Sequence, residues 1–207
     1  MLHKQYFIFA AERFPMSNGE RFYREFVKAV DTSDITLADY RQGGSVFTEQ
    51  IVQVIETVLR DSFGLETGRE YFRVDVVGWK GRYREVEAEA GQCRVNPHLW
   101  DLMAAVEHEN DPKDWTDELI KLAHINCPLR VVIGYSPCDG REGAEQRKLE
   151  LAASWLGKTR AFSGDSGEYL LIFGNSAPAE SGVGYREFDY RGYRYDPASG
   201  HFVRIEV

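Results

Sequence analysis

The stretch Leu102-Met-Ala-Ala-Val-Glu107-His-Glu109-Asn-Asp111 decides how the rest of the chain reads. An apolar run that closes on carboxylates at i and i+2 predicts a buried strand, Leu102–Glu109, with both acids leaving on the same side. Asn110-Asp111-Pro112 ends it. Asp114 or Thr116 then starts a helix through Glu118-Leu-Ile-Lys121-Leu-Ala-His-Ile125. Leu129-Arg-Val-Val-Ile-Gly-Tyr135 follows, a short apolar run of the kind buried at a sheet centre. Strand, helix and strand in that order make a crossover connection, so the two strands are expected to lie parallel.

Working outward from that unit, Glu70–Trp79 is expected to form a strand carrying Asp75. Lys80-Gly81 should turn it into a second strand, Arg82–Ala90, with one wet face. Further upstream, Ser17 starts a helix in which Phe22, Phe26, Val27 and Val30 recur at helical spacing up to Asp31. After the Gly43-Gly44 loop, Ser45 or Thr48 caps a longer helix carrying Ile51, Val54, Ile55, Val58 and Leu59, closed near Phe63-Gly64. A short apolar run, Tyr6–Ala11, precedes both. Downstream come a helix over Glu142–Leu156, a strand at Tyr169–Phe173, and a C-terminal hairpin over residues 184–207, turned at Asp196-Pro-Ala-Ser-Gly200. This order predicts an α/β fold, a three-layer α/β/α sandwich around a central mixed sheet. With no repeat, low-complexity tract or linker, 1–207 reads as one domain.

Composition narrows the chemistry. The three cysteines, Cys93, Cys127 and Cys138, are odd in number and lack CxxC spacing, which argues against a disulfide framework and a structural zinc site. The five histidines offer no HxxxH pair. No apolar run approaches the roughly 20 residues needed to span a bilayer, and the first residues read as part of the fold rather than a signal peptide. A reducing cytoplasm is the expected setting. A formal net charge of −8 weighs against binding nucleic acid by bulk attraction alone. A local basic face with a metal ion remains compatible with it.

Tyr71-Phe-Arg-Val-Asp75-Val-Val brings a further acid to a β-rich run. Two neighbouring strands that deliver Asp75, Glu107 and Glu109 to one spot would make a hard, oxygen-lined site suited to Mg²⁺ or Mn²⁺. Two carboxylates on one face of an apolar strand repel each other and resist desolvation unless a cation or hydrogen-bond donors meet them. Phosphodiester hydrolysis needs a nucleophile made from water and a partner for charge growing on the phosphoryl oxygens, and divalent ions supply both.

An acid in one strand, and an acid pair ending the strand before a crossover helix, resemble the PD-(D/E)XK nuclease superfamily, the restriction-endonuclease-like fold. The resemblance covers about residues 45–135 and rests on Val74-Asp75 and Glu107-His-Glu109. It implies that Asp75 and Glu107 hold the metal, with the carbonyl of His108 a further ligand and Glu109 standing where the superfamily usually has lysine. It also implies that Lys121, on the following helix, can supply the missing lysine, and that Glu49 or Glu56 can complete the site. The function implied is Mg²⁺- or Mn²⁺-dependent nucleic-acid hydrolysis, DNA before RNA, with a homodimer the common assembly. Lys80, Arg82 and Arg84 are the expected substrate contacts.

Plainer readings stand beside these. His108 points away from its neighbours and suits a hydrogen-bonded core histidine, and Lys121 suits a solvated helix lysine. Ser163-Gly-Asp-Ser-Gly167 lacks the strand-turn-helix context of a nucleophile and reads as a tight turn. Alternating Tyr and Arg over Tyr185–Tyr195 is what an amphipathic hairpin looks like. The rival function is a non-catalytic binding or regulatory module on the same fold.

Overall fold

The computed structural model describes residues 16–42, 44–82, 84–94, 100–136, 144–159, 167–175 and 188–206. Six α-helices and seven strands alternate along them: α1 (Asn18–Asp31), α2 (Leu37–Gln42), α3 (Ser45–Thr57), β1 (Glu66–Tyr71), β2 (Val74–Arg82), α4 (Arg84–Gln92), β3 (Trp100–His108), α5 (Trp115–Ala123), β4 (Leu129–Ser136), α6 (Ala144–Lys158), β5 (Glu168–Asn175), β6 (Arg191–Asp196) and β7 (His201–Arg204). The strands form one mixed sheet in the order of the chain, β1 to β7. β3, β4 and β5 run parallel, with Val106 beside Val131 and Val131 beside Leu170. The expected crossover is therefore present. The flanking pairs, β1–β2, β2–β3, β5–β6 and β6–β7, are antiparallel.

Strand alternation divides the apolar residues between two cores. Val131, Ile133, Leu170 and Ile172 join Phe22 and Phe26 of α1 and Phe47, Ile51 and Ile55 of α3. Val132, Leu171 and Phe173 join Trp115, Leu119 and Leu122 of α5 and Leu149, Ala152 and Leu156 of α6. Every residue of β4 is buried, as a strand covered on both faces requires.

The first two long helices lie where their periodicity put them. Ser17 caps α1, its Oγ accepting from Glu20 N at 3.2 Å. The cap of α3 is Gly44, at φ +90° with no side-chain cap bond, rather than Ser45 or Thr48. Thr48 Oγ1 accepts from Asn110 Nδ2 at 2.6 Å instead, tying α3 to the turn after β3. A π-helical turn, Val58–Ser62, extends α3, and Gly64 at φ +64° ends it.

Two expectations fail between residues 66 and 92. The turn falls at Phe72-Arg73 rather than at Lys80-Gly81, so the expected strand Glu70–Trp79 is a hairpin arm pair, β1 and β2. Gly81, at φ +68°, sits in an irregularity of β2 where the register against β3 shifts. The expected strand Arg82–Ala90 is largely helix α4 instead. Its Arg84-Glu-Val-Glu-Ala-Glu-Ala sequence alternates by chance, while Ala, Glu and Arg are strong helix formers. The C-terminal hairpin is present as β6 and β7, with Asp196 paired to His201 across its turn. The apolar run Tyr6–Ala11, Cys138, Ser166 and residues 184–187 lie outside the described residues. Among those described, no helix is long and apolar enough to cross a membrane.

Candidate functional site

β2 and β3 are antiparallel with Val76 opposite Val106, so the next pair outward is Asp75 and Glu107. Both side chains share the face of Val77 and Ala105, which belong to the core under α5 and α6. Glu107 is 1% exposed. Its Oε2 lies 3.4 Å from Asp75 N, and Asp75 Oδ2 accepts from His108 N at 2.8 Å. Glu107 thus reaches across the strand pair to the Asp75 amide and Asp75 to the amide of His108, next to Glu107, which brings together the two residues singled out from separate segments.

Lys121 completes the cluster from α5. Its Nζ lies 2.8 Å from Glu107 Oε1, contacts Glu118 Oε2 one turn back on the helix, and donates to Arg73 O at 2.8 Å. An ammonium has three protons and here faces three acceptors. Glu107 and Glu118 thus pair with a single cation, and Asp75 lies within its electrostatic reach. Burial pushes the Glu107 carboxyl up to about 8 against the pull of Lys121, with Asp75 and Glu118 pushing the same way. Burial also raises Asp75, opposed by its bond from His108 N. For Lys121, the bonds to Glu107 and Glu118 outweigh burial and raise its pKa.

Glu109 sits just beyond the strand. Its Oε1 accepts from Asp111 N at 2.7 Å, and burial raises its carboxyl, with Glu118, Asp114 and Asp111 adding to the effect. It borders the cluster on the Glu118 side. The His108 ring points to the opposite face, as alternation requires. Its Nε2 lies 3.0 Å from Tyr135 Oη, which lies 3.0 Å from Tyr190 Oη, and burial pulls the imidazole down to about 3. It is a neutral core histidine.

Glu49 and Glu56 do not join the acids. Arg69 takes both, at 2.7 Å each, on the helix that packs over the other face of the sheet. Lys80 is exposed and lies five residues along β2 from Asp75, roughly 16 Å at strand rise. The side chains of Arg82 and Arg84 are outside the description. Glu118 was not singled out from the sequence, although its i,i+3 spacing to Lys121 on the helix after an acidic strand was there to be read.

The donor set can be tested against the metal that the resemblance implies. Among the described residues, no three His, Cys, Asp or Glu side chains form a group able to enclose a metal ion. Mg²⁺ does not ask for such a cage, because one or two carboxylates with waters and substrate phosphates hold it. Asp75 and Glu107 supply two such carboxylates, with Lys121 at 2.8 Å from Glu107 Oε1 and the His108 amide on Asp75 Oδ2. Comparison of the sequence with protein-family models and with curated proteins finds no match.

Proposed function

We propose that this protein is a metal-dependent nuclease, hydrolysing phosphodiester bonds of DNA or, second to it, RNA at the Asp75–Glu107 cluster. One observation carries the reading. Asp75 at the head of β2 and Glu107 at the end of β3 share one face, and Lys121 of the next helix lies 2.8 Å from Glu107. The order α3, β1, β2, β3, α5, β4 supports a restriction-endonuclease-like sandwich around that pair. Asp75 and Glu107 would hold Mg²⁺ or Mn²⁺, with the His108 carbonyl and Glu109 at the margin. Such an ion, when bound, supplies a water of lowered pKa and positive charge beside the phosphoryl oxygens.

The chain's own residues have separable tasks. Asp75 and Glu107 bind through oxygen, and the His108 amide fixes the direction of the Asp75 carboxylate. Lys121 keeps a positive charge beside Glu107, where it can orient water or meet charge on a phosphoryl oxygen. Glu118 steadies that ammonium. The buried wall beneath, Ala105 and Val132, excludes bulk water from one side.

A binding module is the second reading, favoured by the same Lys121, since an internal cation already answers the charge of Glu107. Nicking of supercoiled plasmid separates them. A nuclease nicks with Mg²⁺ or Mn²⁺, stops with a chelator, and loses activity in Glu107→Gln. A binding module nicks under none of these conditions.

A further inference from the structure

The hairpin between β1 and β2 turns on two residues, Phe72 and Arg73, closed by the pair Tyr71 and Val74. Both sit in the left-handed region, Phe72 at φ +51° and Arg73 at φ +63°, and Glu70 nearby is at φ +54°. Positive φ at both central positions is the pattern of a type I′ turn, whose usual residues are Asn and Gly. Phe and Arg carry a Cβ that disfavours that region. Such an outlier is the kind of position from which a functional hypothesis starts.

What the tip presents gives that hypothesis a chemistry. Phe72 is 77% exposed, the most exposed large apolar side chain among the described residues. Its ring meets Tyr71 edge-on at 4.3 Å. Tyr71 meets Trp100 at 4.2 Å, and Trp100 meets Trp79 at 4.5 Å, so four aromatic rings run back from the tip along the sheet. Tyr71 and Trp79 pack at the margin of the core under α5, on the face that carries Asp75 and Glu107. The exposed guanidinium of Arg73 makes no ion pair among the described residues. The Arg73 carbonyl accepts from Lys121, and Asp75 begins two residues further on. The tip is therefore tied to the acidic cluster by its own backbone.

We propose that Phe72 and Arg73 form a binding site for an unpaired nucleobase and its phosphate beside the Asp75–Glu107 cluster. The inference rests on the nuclease reading and names its substrate as a strand with at least one base out of the duplex. An exposed aromatic face stacks any base, and an adjacent arginine answers the phosphate, which is how single strands are held without sequence readout. Strain at Phe72 and Arg73 persists because the residues that would relieve it can neither stack nor carry charge.

The test replaces the tip by the residues its backbone prefers, Phe72→Asn with Arg73→Gly, beside Phe72→Trp. A merely structural tip should then give a protein at least as stable, with unchanged ligand binding. The probe is a dT oligonucleotide of about 12 residues bearing one 2-aminopurine, titrated without divalent ion. The expected result is quenching by the wild type and by Phe72→Trp. In the double variant, affinity should fall by about 5- to 150-fold, one lost base stack, with an equal or higher Tm. Unchanged affinity in the double variant, or no binding by the wild type, overturns the proposal. Mn²⁺ titration of the same proteins reports on the acidic cluster separately. Retained Mn²⁺ binding with no effect of the tip sinks the base site alone, whereas loss of both in the wild type sinks the nuclease reading with it.

Discussion

Glu107 and His108 are consecutive residues of one strand, almost equally buried, and they meet opposite environments. On the α1–α3 face, His108 lies against Phe47 and Tyr135, with the Tyr135 hydroxyl as its polar partner and Tyr190 Oη one hydrogen bond further on. On the α5 face, Glu107 meets Asp75, Glu118 and the ammonium of Lys121. Burial favours the neutral form of each, lowering the histidine and raising the acid. Only the acid is given a cation. The fold thus buries a polar group in two ways, neutral and hydrogen-bonded on one face, crowded with charge on the other. The second arrangement is costly for stability alone, which is the ground for proposing it as a site.

The largest break in that comparison is Glu107→Gln. Metal assistance contributes several kcal/mol, so nicking should fall about a hundredfold or more at 1.36 kcal/mol per tenfold. The same variant reads out on stability. With its folded pKa above its ordinary 4.5, Glu107 keeps a proton in the folded protein that the unfolded chain has lost. Its contribution is full below about 4.5 and is lost as pH rises toward about 8. Thermal melts from pH 5 to 8 should show this decline in the wild type and a flatter profile in Glu107→Gln. Lys121→Met should come next, costing about 2 kcal/mol in urea unfolding, because it leaves Glu107 facing two acids with no cation. Tyr135→Phe strikes the other face. It strips His108 Nε2 and Tyr190 Oη of a shared partner and should cost about 1–2 kcal/mol, with Mn²⁺ affinity unchanged. Glu109→Gln should do least, within about 0.5 kcal/mol of wild type, and should lower Mn²⁺ affinity far less than Glu107→Gln does.

Much of the centre was legible in the sequence. β3, α5 and β4 follow from one apolar run, one helical period and a second apolar run, and their order dictated the parallel pair. Asp75 meets Glu107 because β2 and β3 are neighbours, with α4 in place of the strand expected between them. The hairpin tip was not legible, because Phe72-Arg73 carries none of the Asn or Gly that announces a type I′ turn, and the glycine at 81 announced a turn in the wrong place. β1 hid for a related reason: Glu66-Thr-Gly-Arg-Glu-Tyr71 is an edge strand with little to bury. The helix α4 was masked by accidental alternation. Glu118 went unnoticed because a carboxylate three residues before a lysine is ordinary on a solvated helix, and only the position of α5 over β3 turns the pair inward. Of these positions the hairpin tip and Glu118 lie beside the acids, whereas Gly81 and α4 lie at the far end of β2.

Titration of the full chain with Mn²⁺, followed by the loss of the free-ion electron paramagnetic resonance signal, tests the carboxylate pair most directly. Wild type should take up the ion, and Asp75→Asn and Glu107→Gln should each abolish uptake while remaining folded. A wild type that leaves all Mn²⁺ free, or variants that bind it as well as wild type does, would contradict a divalent-ion site between β2 and β3.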